Sequence, residues 1–222
     1  MKRLFKFFFQ VRPLKARYLT FWPVDKVLDV LKTWYPLENL SLRQLTLKTA
    51  ALIALSSSDR GQTLHLAKLC NMLIEKDCIK FVIKERTKST RKVLRPTIIT
   101  CISCKDLPEL DVAKCVSVYI EKFSQYRPDN VENLFLSWKT KRAVSRQTIA
   151  RWLKIVLKIA GIDTSIFTAH CFRGAGLSKA YNKGTPMDKI IAAGNWSNAQ
   201  IFKQYYCAPS YDSSIGNIIL NN

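Results

Sequence analysis

The chain has 222 residues, with 36 Lys+Arg against 16 Asp+Glu and a formal charge of +20. That length suits one globular domain, and 48% hydrophobic residues are too many for a disordered basic tail. No apolar run approaches the roughly 20 residues that cross a bilayer. Lys6 and Arg12-Pro13 interrupt an aromatic lead that faintly resembles a secretion signal. The expectation is a soluble, intracellular chain. A compact domain this basic repels itself, so a polyanion should meet the excess, and nucleic acid is the usual one. Charge alone also admits a membrane surface or ribosomal RNA. The cations are spread along the chain, which favours a broad binding face over a basic arm. Seven scattered cysteines do not resemble a secreted disulfide framework. Cys101-Ile102-Ser103-Cys104 is a lone C-x-x-C that lacks two further zinc ligands, so reduced, mostly buried thiols and no metal are expected.

A basic aromatic lead runs from Met1 to Trp22. Pro23 then opens a short helix whose apolar face is Val24, Val27, Leu28 and Leu31, and Pro36 ends it. Ser41 is the N-cap of a second helix through Leu42, Leu45, Ala50, Leu52 and Ile53 toward Leu55. It is apolar on most sides, as a central buried helix would be. Ser56 to Gly61 is a polar break, followed by an apolar-periodic stretch with Leu64, Leu66, Leu69 and Leu73. Ile79–Ile83 and Val93–Thr100 are rich in β-branched residues and read as two strands, joined by a basic tip from Lys84 to Lys92. Val112–Tyr126 reads as a helix stopped by Arg127-Pro128-Asp129, and Leu134-Phe135-Leu136 as a short strand. Ser145 caps a helix carrying Ile149, Trp152, Leu153 and Val156, closed by Gly161. Thr168 precedes a helix containing His170 and Arg173, Thr185-Pro186 starts another, and Asn198 starts a last one running into Tyr205-Tyr206. The fold class is α+β, mainly α, with helices around one small antiparallel sheet.

Phosphodiester cleavage without a metal needs fixed cations for the extra charge on two non-bridging oxygens. Arginine suits this, because its planar fork binds two oxygens and never loses its proton. It also needs an in-line nucleophile and a proton donor for the leaving oxygen. Candidates for each part are scattered along the chain. Singly, each has a plainer explanation: Arg60 as a surface charge, the tip lysines as a solvated loop, Trp196 as a core aromatic. His170-x-x-Arg173 is sharper, because residues i and i+3 share a helix face.

Together these segments resemble the tyrosine recombinases, or phage integrase family, and most closely the recombinases of eukaryotic DIRS-type and Crypton-like transposable elements. The likeness runs in the family's order from Arg12-Pro13 to Pro209. It comprises the Arg12–Tyr18 lead with Phe21-Trp22, the Ser41–Leu64 segment holding Arg60, and Lys88-Ser89-Thr90-Arg91. It continues through Val144–Asp163, the box His170-Cys171-Phe172-Arg173, Gly194-Asn195-Trp196-Ser197, and Phe202-Lys203-Gln204-Tyr205-Tyr206.

The resemblance implies a role for each. Arg60 and Arg173 clamp the scissile phosphate, Lys88 protonates the departing 5′ oxygen, His170 assists proton transfer, and Trp196 packs on or hydrogen-bonds the phosphate. A tyrosine forms the 3′-phosphotyrosyl bond. The eukaryotic register Trp-Ser, Phe, Tyr, Tyr, Pro selects Tyr206, whereas the spacing of bacterial and phage members selects Tyr205 as the alternative. Lys84, Arg86, Arg91, Lys92, Arg146 and Arg151 are the DNA-binding candidates. No cofactor, metal or small molecule is implied; double-stranded DNA and a homotetramer on it are. The implied location is the nucleus. Two departures stand out: Ser58 where many members have glycine, and Thr63 where many bacterial members have glutamate. Residues 1–22 read as the linker remnant of a missing core-binding domain, and 23–209 as the catalytic domain. Residues 210–222 form a tail that either exchanges between protomers or packs on its own. A host-recruited DNA-binding protein that has lost cleavage is the alternative function.

Overall fold

In a computed structural model, the described residues are 21–57, 61–85, 97–194, 199–200 and 202. Among the described residues, seven labelled helices and three strands carry the architecture. The first helix, α1 (Val24–Thr33), buries Val24, Val27 and Leu31, the apolar stripe expected from its spacing. Helix α2 (Leu42–Ser56) begins at a reciprocal cap. The Ser41 side chain accepts from the Gln44 N–H, and the Gln44 side chain accepts from the Ser41 N–H. Every residue from Leu45 to Ala54 is buried, so α2 is the central helix around which the others pack.

One cation is carried into that core. Lys48 is fully buried, and its Nζ donates to the carbonyls of Leu31 (2.8 Å) and Trp34 (2.5 Å). It thereby adds a donor at the end of α1, where the Leu31 carbonyl also accepts from the Trp34 N–H. Desolvation holds the Lys48 pKa below the ordinary lysine value.

After α3 (Gly61–Leu64) the chain forms β1 (Met72–Glu75), β2 (Cys78–Ile83) and β3 (Thr97–Ile102), an antiparallel sheet in the order β1-β2-β3. The two strands expected on either side of the basic tip are joined among the described residues by β1, which was not expected. The apolar stretch from Leu64 to Leu73 is broken into short pieces, and Leu73 lies in a strand, 53% exposed. Ile79, Phe81 and Ile83 point inward from β2. Across the strands, Leu73 faces Lys80 and Glu75 faces Cys78, which puts Lys80 and Glu75 on the outer face, where they pair at 2.6 Å.

Helix α4 (Val112–Ser124) is capped by Asp111, whose carboxylate accepts from the Lys114 N–H and also from Ser103 and Cys104 at the end of β3. Residues 134–136 do not form a strand. Leu136 makes one isolated bridge, with Ala143, Asn133 makes another with Lys68, and the buried Tyr119 hydroxyl accepts from the Leu136 N–H at 3.0 Å. Helix α5 (Arg146–Ile159) starts at the Ser145 cap and closes at Gly161, whose φ of +69° suits a residue without Cβ. Helices α6 (Cys171–Asn182) and α7 (Met187–Ala193) complete the described chain apart from residues 199, 200 and 202.

Of the cysteines, Cys101, Cys115 and Cys171 are buried, Cys78 and Cys104 are half-buried, and Cys70 is exposed. The expectation of mostly buried thiols thus holds for only half of those described. Among the described residues, no helix is long and apolar enough to cross a membrane.

Candidate active site

Helix α6 organises the described part of the site. His170 is its N-cap, not a residue inside it as the sequence suggests, and is exposed, whereas Arg173 is only 4% exposed. His170 is thus exposed at the helix entrance and Arg173 buried in the first turn. The entrance is fixed locally, with the Cys171 N–H donating to the Thr168 carbonyl and the Thr168 N–H to the Cys171 sulfur.

Three contacts hold α6 to its neighbours. Phe172, beside Arg173, meets Trp22 edge to face at 5.1 Å between ring centroids. Trp22, expected at the end of the entering linker, is itself buried at 2%. One turn after Arg173, a Cβ added to Gly176 would lie 2.9 Å from the Leu55 carbonyl oxygen. Only a glycine lets α6 come this close to the last turn of α2. Farther along, Lys179 forms an ion pair with Asp25 of α1, which holds the Asp25 carboxyl below its ordinary pKa. A cavity of about 310 Å³, lined by Val24, Leu28, Leu55, Gly176 and Ala180 among others, lies between these helices.

The end of α2 precedes Arg60 by four residues in the sequence. The Ser57 N–H and hydroxyl both donate to the Ile53 carbonyl, and beyond the turn Thr63 and Leu64 are buried at 3% and 1%. At the base of the hairpin, Lys84 follows β2 and is exposed. Glu85 pairs with Lys68 at 2.7 Å, and that hydrogen bond lowers the Glu85 pKa. Arg146 and Arg151 are exposed on α5, as phosphate contacts would have to be. Arg60, Arg86, Lys88, Arg91, Lys92, Trp196, Tyr205 and Tyr206 lie outside the described residues. The described elements bury one guanidinium in the first turn of α6 and expose cations on α5 and after β2. Gly176 escaped the sequence reading, although its signal was present as a glycine inside a helical run three residues after Arg173.

A search of curated proteins matches none. The fold is similar to that of XerH site-specific recombinase in a post-cleavage complex with a palindromic difH substrate. The TM-score is 0.66 at 12% identity, covering 95% of this chain and 58% of that one. It is also similar to the Tn1549 transposon integrase in complex with transposon right-end DNA, with a TM-score of 0.61 at 12% identity over 92% of this chain and 67% of that one. A lambda integrase dimer bound to a COC′ core site gives 0.54 at 13% identity, over 87% and 61%. The chain spans between 55% and 62% of the XerH and XerA recombinases it matches. The family model described as the phage integrase family matches residues 17–212, nearly the whole sequence, and the mainly helical fold with its three-stranded sheet agrees: the chain belongs to the phage integrase family.

Proposed function

We propose that the chain breaks and rejoins duplex DNA through a 3′-phosphotyrosyl intermediate, as the catalytic part of a tyrosine recombinase of a transposable element. The observation that carries this reading is the buried Arg173 on a helix pressed against the end of α2, the element that leads to Arg60. Family membership and the DNA complexes of the similar structures support it.

In this reading the Tyr206 oxygen attacks the scissile phosphorus in line, with Tyr205 as the alternative. The bond from phosphorus to the 5′ oxygen breaks, and that oxygen leaves as a hydroxyl after taking a proton from Lys88. Arg60 and Arg173 meet the charge that builds on the non-bridging oxygens, a geometry worth several kcal/mol in transition-state stabilisation. His170, at the exposed entrance of α6, assists proton transfer, and Trp196 contacts the phosphate. Rejoining is the reverse attack by a 5′ hydroxyl, so no external energy source is consumed. Lys84, Arg86, Arg91, Lys92, Arg146 and Arg151 contact the DNA backbone.

The chain works as residues 23–209 of catalytic domain with an entering linker before it and an exchanged or self-packed tail at 210–222. It assembles as a tetramer on DNA in the nucleus. The affiliation with DIRS-type or Crypton-like elements rests on the motif register alone. The test is a nicked duplex that lets the 5′ fragment diffuse away after attack. A protein–DNA adduct stable to SDS supports strand cleavage. DNA binding with no adduct would support the alternative, a recruited DNA-binding protein.

A further inference from the structure

The turn at 137–142 is built more rigidly than a solvated basic loop requires. The Ser137 hydroxyl accepts from the N–H groups of Lys139 and Thr140, both at 3.2 Å. The Ser137 N–H donates to the Arg142 carbonyl, and the Lys141 N–H to the Ser137 carbonyl, both at 2.9 Å. Lys141 has a φ of +58°, a conformation uncommon outside glycine. Its side chain holds the turn in that shape: Nζ donates to the Trp138 carbonyl at 2.7 Å and sits 4.4 Å from the Tyr126 ring centroid. Trp138 packs on Trp152 of α5 at 4.9 Å, so the turn and that helix are joined.

This scaffold leaves two cations over. Lys139 and Arg142 are exposed, and among the described residues neither pairs with a carboxylate. The sequence around them is uniformly basic. Residues 133–162 hold seven Lys/Arg (Lys139, Lys141, Arg142, Arg146, Arg151, Lys154, Lys158) and no Asp or Glu. Gathering cations without counter-charges on a fixed backbone is unfavourable alone, and is offset when a polyanion binds. Holding them in place beforehand also lowers the ordering cost of binding.

We propose that the 137–142 turn is a preformed clamp for the phosphates of duplex DNA, contacted by Lys139 and Arg142 ahead of α5. It rests on the reading of the basic face as DNA-binding. Backbone contacts of this kind add affinity without sequence preference.

The test is the salt dependence of binding to a labelled duplex of arbitrary sequence, about 30 base pairs long, between about 50 and 200 mM salt. Each phosphate neutralised contributes about 0.9 to the slope of log K against log salt, so Lys139→Ala/Arg142→Ala should flatten it by about 1.8. Lys32→Ala/Lys105→Ala is the control, because both lysines are already paired, with Asp29 and Asp77. It should leave the slope unchanged. An unaltered slope in the first variant, or an equal fall in the control, overturns the clamp. A flattened slope with no covalent adduct from any substrate would refute strand cleavage and leave the clamp standing. Wild-type protein showing no salt-dependent binding would overturn both.

Discussion

Gly176 and the Leu55 carbonyl are in contact across two helices, with room between them for a hydrogen but not for a methyl group: a Cβ at 176 would lie 2.9 Å from that oxygen. Gly176 is one turn from Arg173, and Leu55 is in the last turn of the helix that leads to Arg60. The contact therefore sets the spacing between the helix that carries Arg173 and the end of α2. Gly176→Ala must force them apart, because the obstacle is backbone and not a flexible side chain. Overpacking of this kind costs about 1–3 kcal/mol. For a chain of this size each kcal/mol lowers Tm by about 2–4 °C, which a thermal melt would read. An unchanged Tm would mean that the helices separate freely and that the contact sets nothing.

Trp22 tests where the folded unit begins. It is 2% exposed and lies edge to face on Phe172, immediately before Arg173. Trp22→Ala should cost about 3–5 kcal/mol in chemical denaturation, the range for removing a large buried aromatic. A loss below about 1 kcal/mol would place Trp22 outside the cooperative unit.

Lys48 makes a prediction with a definite pH sign. Removing Nζ in Lys48→Met takes its hydrogen bond from the Trp34 carbonyl and one of two from the Leu31 carbonyl, at a cost of about 1–3 kcal/mol. Burial lowers the Lys48 pKa in the folded state below its value in the unfolded chain. Between those two values the unfolded state binds more protons, so the stability of the wild type rises with pH there. The advantage of wild type over Lys48→Met should grow as pH rises toward about 10.4. A difference that stays constant or shrinks would contradict the assignment.

The thiols should separate by reactivity. Burial pushes Cys101 up to about 12 and Cys115 up to about 11, so neither forms thiolate near pH 8. Cys70 is exposed, although its hydrogen bond to Glu132 raises its pKa as well. Iodoacetamide on the native protein at about pH 8 should modify Cys70 while sparing Cys101 and Cys115 until denaturant is added. Early modification of Cys115 would show that the interface between α2 and α4 opens readily.

The helices were legible because their signals are local. Ser41, Asp111 and Ser145 each cap a helix whose apolar spacing follows directly. Strand β1 was not legible. Its residues Leu73 and Ile74 are 53% and 74% exposed, so it lacks the alternation that marks β2. The partner strand defines β1, and pairing across a turn leaves little trace in hydropathy. In the candidate site, the ordered motifs pointed to His170 and Arg173, but spacing alone put both on one helix face. The structure places His170 at the N-cap with helical backbone angles (φ −66°, ψ −23°), exposed, one turn before the buried Arg173. Gly176 and the 137–142 turn were missed for a shared reason: their importance lies in what another element places against them.

The most direct test of the central claim is peptide mapping of the adduct trapped on a nicked duplex. Tyr206 should carry the DNA phosphate, Tyr206→Phe should abolish the adduct, and Tyr205→Phe should retain it. Arg173→Ala should reduce adduct formation by a factor of at least about 100 while DNA affinity changes little, as loss of a transition-state contact requires. DNA attached to Tyr205 would reverse the choice of nucleophile, and an adduct that survives the loss of both tyrosines, or of Arg173 undiminished, would contradict the account.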